Sequence, residues 1–131
     1  MIRLGLFAAM RHRTTRLAPL AFALIGFGVV SGTQAMTIRE LRTLEATVSD
    51  GKTYASYYLV GVLEGLREAA DSAQREGRKP PFCIQGRRLE PVMARSLYQT
   101  ELMRNADTYE ADMPVQLVLA GALRNSFNCT H

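Results

Sequence analysis

Few side chains in this sequence can do chemistry. Cys83 and Cys129 are the only cysteines, and His12 and His131 the only histidines. Two thiols can form a disulfide, supply a nucleophile or ligate a metal, and the residues around them decide among these. A thiol nucleophile needs a base within hydrogen-bond reach, and a structural zinc site needs four nitrogen or sulfur ligands. Beyond residue 35 the one imidazole is His131. A base at a frayed terminus is badly held, and two Cys with one His make an incomplete zinc set. A disulfide needs neither, and a single pair has a single connectivity once the chain reaches an oxidising compartment. Closing the loop between 83 and 129 would restrict the unfolded chain by about 4 kcal/mol on the chain-entropy account. The chain also carries twelve Asp and Glu. A paired acid/base site among them stays open, although each falls on an expected solvent face or loop. No HExxH, GxGxxG, phosphate loop, CxxC or GxSxG spacing occurs. No catalytic, cofactor-binding or metal-ligating residue is assigned, and the chain reads as a non-enzyme.

The compartment is read from the first thirty-five residues. Arg3, Arg11, Arg13 and Arg16 precede an apolar run from Leu17 to Val30, and Thr33-Gln34-Ala35 offers the small residues that signal peptidase accepts. The expectation is a signal peptide over 1–35 and one domain over 36–131. A retained anchor is the rival reading, but the apolar run falls short of the roughly 20 residues needed to span a bilayer. No Cys precedes Ala35, which argues against a lipoprotein, and Arg11-His12-Arg13 is not a twin arginine. Export to the periplasm follows, with no membrane association of the mature form.

The chain's basicity leaves with the leader. Of 16 Lys and Arg, four lie before Ala35, while all 12 Asp and Glu lie after it, so the remainder is formally neutral. Overall charge therefore gives no reason to expect a nucleic-acid partner. A single small domain with a marginal core is the size expectation, and such a domain gains from a covalent staple.

The elements that would position these groups are helical nearly throughout. Thr37 and Glu40 have capping-box spacing, and Ile38, Leu41 and Leu44 form a stripe behind them. A first helix should end near Ser49-Asp50-Gly51. A second is expected from about Lys52 to Glu76, capped by Ser49 or Asp50 and stopped by Gly77 and Pro80-Pro81. Its buried face should be Ala55, Tyr58, Leu59, Val62, Leu66, Ala69 and Ala73. Gly61, Gly65 and Ala69 recur every four residues, so another backbone could approach closely, either inside the domain or as a homodimer seam. Gly77 to Arg88 reads as a solvated, locally basic loop. A third helix should start at Glu90 with Pro91 in its first turn, its stripe being Leu89, Val92, Met93, Leu97, Thr100 and Met103. Asp112-Met113-Pro114 restarts helix formation, with Val115, Val118, Leu119, Ala122 and Phe127 at helical spacing. The fold class is all-α, a small bundle of about four to five helices with one disulfide.

Three stretches carry a resemblance: YYLVGVLEGLREA from Tyr57 to Ala69, the Phe82-Cys83 pair, and LVLAGALRNSFNC from Leu117 to Cys129. In this order they resemble the Tai-type immunity proteins, periplasmic partners of peptidoglycan amidase effectors delivered by type VI secretion. The resemblance covers roughly Tyr54 to Cys129, and its motifs are short and mostly structural. Two departures stand out. Cys83 is followed by Ile84-Gln85-Gly86 where Pro is common, and Asn105 to Met113 is unusually acidic.

The resemblance implies a helical, disulfide-containing protein, often dimeric, that blocks an amidase by inserting a loop into its active-site cleft. It brings no catalytic residue and no cofactor. Two loops are candidates: Asn105 to Met113, with Asp107, Tyr109, Glu110 and Asp112, and the Cys83-anchored loop, with Phe82 and Arg87. Solvated loops without a partner explain the same residues. Two other functions stay open. Acid-stress chaperones of the HdeA kind are also small, helical and disulfide-linked, and expose apolar surface when carboxylates protonate. The fold could also serve an orphan binding protein with another periplasmic partner.

Overall fold

The computed structural model describes residues 34–129, so the expected leader, except its last two residues, and His131 lie outside the described residues. Four helices follow: α1 (Ile38–Thr47), α2 (Gly51–Arg75), α3 (Pro91–Arg104) and α4 (Val115–Ser126). Among the described residues none is long and apolar enough to cross a membrane.

Local chemistry places most of the ends. The Thr37 Oγ1 accepts from the Glu40 N–H at 3.2 Å, and the Glu40 carboxylate accepts from the Thr37 N–H at 2.7 Å, completing the expected capping box of α1. At the other end of α2, Gly77 takes a positive φ of 73°, while Gly77 N–H donates to Gln74 O and Arg78 N–H to Ala73 O. This is a Schellman closure, which favours glycine because a Cβ is strained at that φ. Pro91 opens α3, where its missing N–H costs nothing. Asp50 occupies the N-cap of α2 but makes no side-chain cap bond, so the cap expected of it is absent. Gly51 instead lets α1 and α2 meet, since a Cβ there would collide with the Leu44 carbonyl.

α2 is the central element, packed against α1, α3 and α4, and α3 packs in addition on α4. The fully buried core joins Ile38 and Leu41 of α1, Leu59 and Leu63 of α2, and Val115, Val118, Leu119 and Leu123 of α4. Arg95 of α3 ties three helices at one side. Its guanidinium meets the Glu45 carboxylate at 2.8 Å, donates to the Lys52 carbonyl at 2.7 Å, and donates to Ser56 Oγ at 3.1 Å.

The segment between α2 and α3 departs from the solvated loop expected of it. Phe82, Ile84 and Leu89 are buried in the core, and the Cys83 N–H donates to the Phe127 carbonyl at 2.9 Å. Cys83 and Cys129 are disulfide-bonded, with Cα atoms 5.0 Å apart, joining this segment to the chain just beyond α4. Apolar side chains and one covalent bond hold a stretch that has no regular hydrogen-bond ladder.

Two helix faces also differ from expectation. The inward line of α2 is Ala55, Leu59, Leu63, Ala70 and Ala73; Tyr58, Val62 and Leu66 flank it half-buried, and Ala69 is exposed. Gly61 and Gly65 therefore face outward, with open space where a Cβ would stand, and the expected close packing inside the domain is absent. On α3 the inward residues are Ala94, Tyr98 and Glu101, whereas Val92 and Met103 are 82% and 75% exposed and Thr100 is exposed. Apolar residues lie all round this helix, so their pattern does not choose a face, and Glu101 is drawn inward by the donors described below.

Two outcomes follow from this packing. Gly65→Ala should raise unfolding stability by about 0.5–1 kcal/mol in urea denaturation, because it adds helix propensity at a position with no neighbour to displace. Cys83→Ser should lower stability by about 2–5 kcal/mol in the same assay, since it frees both the buried connector and the end of α4.

Candidate functional site

The acidic stretch between α3 and α4 is built on one carboxylate. Glu101, on the inner face of the last turns of α3, is only 3% exposed. An ionised carboxylate away from water needs donors, and three converge on it. Asn105 Nδ2 donates to Oε1 at 2.8 Å, Tyr109 Oη to Oε1 at 2.9 Å, and Asn125 Nδ2, from α4, to Oε2 at 3.0 Å. Burial pushes the carboxyl up, but these bonds, with the Arg104 charge, outweigh it and hold Glu101 below its ordinary value. The Tyr109 phenol is pushed up to about 12, by burial first and then by its bond to the carboxylate. Gly121 of α4 makes room for the pair. A Cβ there would collide with Tyr109 Oη and stand 2.8 Å from Glu101 Oε1.

Backbone bonds fix the rest of the segment. Asn105 N–H donates to Glu101 O, Thr108 N–H to Asn105 O and Met113 N–H to Glu110 O, forming successive turns. The first free N–H groups of α1 then dock on it, Ile38 N–H on Met113 O at 3.0 Å and Arg39 N–H on Ala111 O at 2.8 Å. A helix N-terminus has such donors to spare, so the loop completes α1 while α1 holds the loop. Asp112 accepts from Arg39 Nε at 2.9 Å, and that bond and charge lower its carboxyl below the ordinary value. Both side chains are exposed, so the pair adds little stability.

The expected site residues therefore separate into roles. Asp107 and Glu110 are exposed and take part in no ion pair among the described residues. Asp112 is engaged by Arg39, and Tyr109 is half-buried with its hydroxyl turned inward, so neither projects as a free anchor. In the second candidate loop Phe82 is 4% exposed, a core residue with almost no surface to offer a partner. Arg87 lies exposed with its guanidinium 5.6 Å from the centroid of the Phe127 ring, a cation–π contact. The two loops meet the last helix region at different places, Tyr109 over Gly121 of α4 and Arg87 over Phe127 just beyond it.

Comparison with family models, curated proteins and solved structures returns no match. The reading of the site therefore rests on its own geometry. Among the described residues no group of three or more His, Cys, Asp or Glu is placed to hold a metal ion, and both cysteines are bonded to each other. What the arrangement offers is a short segment held by side-chain bonds at Tyr109 and Asp112 and by backbone bonds at both ends, presenting two carboxylates to solvent. Glu101, Asn125 and Gly121 were missed by the sequence reading, which put every carboxylate on a solvent face or loop. The one available signal is spacing, since Glu101 continues the line of Ala94 and Tyr98 along α3.

Removing the Tyr109 hydroxyl leaves Glu101 a donor short, so Tyr109→Phe should cost about 1–2 kcal/mol of stability in urea denaturation. Gly121→Leu forces the same hydroxyl away, and adding Tyr109→Phe to it should cost less than Tyr109→Phe does alone.

Proposed function

We propose that this chain is a non-catalytic, exported binding protein whose loop 105–113 engages a protein partner, and that the partner is a peptidoglycan amidase effector whose active-site cleft the loop occludes. The observation that carries this reading is the constraint on the loop: side-chain bonds at Tyr109 and Asp112 and backbone bonds to α1 hold it, while Asp107 and Glu110 stay outward. A segment already ordered before binding loses less conformational freedom on association, which is what an inhibitory insertion requires.

The identity of the partner comes from the resemblance to Tai-type immunity proteins, and export to the periplasm from the leader over 1–35. The stretches that carry the resemblance form the middle of α2, the buried Phe82 with the bonded Cys83, and α4 with its end. They account for a scaffold, whereas the choice of partner would reside in the loop. An amidase of Cys/His type offers an imidazole in a polar cleft, to which a projecting carboxylate can make a charge-assisted hydrogen bond. Tyr109 then acts by holding the loop and not as an aromatic anchor in the partner.

Charge reversal of the two free carboxylates tests this. Asp107→Lys with Glu110→Lys should weaken binding to the peptidoglycan amidase effector that this reading expects to find encoded nearby by about tenfold or more, the equivalent of at least about 1.4 kcal/mol. Titration calorimetry reads the affinity, and circular dichroism checks that the double variant is folded. Unchanged affinity and inhibition would move the contact to another surface, the Cys83–Arg88 loop first.

A further inference from the structure

We propose that Glu101 is the positioning residue of the 105–113 loop: its ionised carboxylate, acting through Tyr109 and Asn105, sets the geometry in which Asp107 and Glu110 are presented, and its protonation releases them. The partner-binding role of the loop rests on the function proposed above; the control of its conformation does not.

The geometry points there because the carboxylate has the right valence for the site. Ionised, it only accepts, and the three side chains that meet it are oriented as donors, two at Oε1 and one at Oε2. Protonated, one of its oxygens becomes a donor facing a donor. The Tyr109 hydroxyl can turn to accept and an Asn amide can turn over, but Tyr109 and Asn105 then hold a neutral group and lose the charge-assisted strength of their bonds, which loosens the side-chain tie in the middle of the loop. The ties at the two ends are of another kind. The backbone bonds at Asn105, Ile38 and Arg39, and the exposed Arg39–Asp112 pair, do not pass through the Glu101 carboxylate. The expected release is therefore confined to the middle of the loop, where the two free carboxylates sit.

Arg104, on the same helix, acts on Glu101, and Arg124, on α4, acts on Tyr109; both are exposed cations. The loop itself carries Asp107, Glu110 and Asp112, all exposed. Because folding holds the Glu101 carboxyl below its ordinary value of 4.5, the tie is fully present above that value. It is lost as pH falls through the lowered one, so release belongs to acid below pH 4.5 and the loop is held at neutral pH.

Amide hydrogen exchange followed by NMR on the unliganded protein tests the proposal. At neutral pH, Glu101→Gln should reduce the protection of the Thr108 amide, which donates to the Asn105 carbonyl, by about tenfold while the amides of α1 and α2 keep theirs. In the wild type the same amide should lose protection on acidification below 4.5, and the Glu101→Gln profile should lack that step. Equal loop protection in Glu101→Gln and wild type at neutral pH, or identical acid profiles, would overturn the assignment. Should Glu101→Gln fail to fold, Asn125→Ala serves. Losing one donor should move the wild-type step upward in pH, and an unmoved midpoint would overturn the proposal. Exchange is read with no partner present, so this result is separate from the amidase affinity measured on the charge-reversal variant.

Discussion

A carboxylate taken out of water at Glu101 constrains more of this structure than any other side chain. Removing an ion from water costs several kcal/mol unless bonds replace its hydration, and here the replacements are two amides and a phenol, with no cation in contact among the described residues. The requirement reaches in three directions. It fixes which face of α3 turns inward, it requires a residue without a side chain at position 121 of α4, and it holds the chain after α3 back against the bundle. Had position 101 been apolar, nothing else in the sequence would have joined Tyr109 to α4 in this way.

A second economy runs through the termini of the helices. The chain beyond α3 supplies carbonyls to the opening N–H groups of α1, so one irregular segment satisfies donors that would otherwise face water. The connector before α3 is held differently, by Phe82, Ile84 and Leu89 in the core and by the bond between Cys83 and Cys129. Both stretches lack a ladder of their own and take order from elements distant in sequence, which lets a small helical domain carry two fixed loops.

These non-local debts also explain what the sequence could and could not disclose. The start of α1 at the Thr37 and Glu40 box, the stop of α2 at Gly77 and the opening of α3 at Pro91 depend on neighbours within a turn, and they were legible. So was the disulfide, because one pair has one pairing. The inward face of α2 was displaced by about one position, since Tyr58, Val62 and Leu66 are apolar enough to stand beside Leu59, Leu63 and Ala70 without marking the centre of the stripe. The face of α3 was misread in part: Leu89, Met93 and Leu97 do pack on the core, while Val92, Thr100 and Met103 face solvent. Hydrophobic spacing assigns a Glu to solvent, and the partners that bring Glu101 inward lie at Tyr109 and Asn125, one in a loop and the other on the next helix. For the candidate site, residue types located the acidic segment, but which of its side chains are free depends on the Glu101 bonds and on Arg39.

The disulfide has a consequence for how this protein can be damaged. The covalent ring closed by Cys83 and Cys129 contains α3, the acidic loop and α4, which is every residue that meets at Glu101. A peptidase cut at an exposed bond inside the ring, after Arg87, Arg88 or Glu110, leaves both fragments tethered and able to stay docked. A cut just outside it, after Arg78, leaves α1 and α2, and with them the helix whose N-terminus holds the loop, joined to the rest by packing alone. The two kinds of nick would be indistinguishable on a reducing gel by count of fragments, yet one leaves a single molecule and the other makes two.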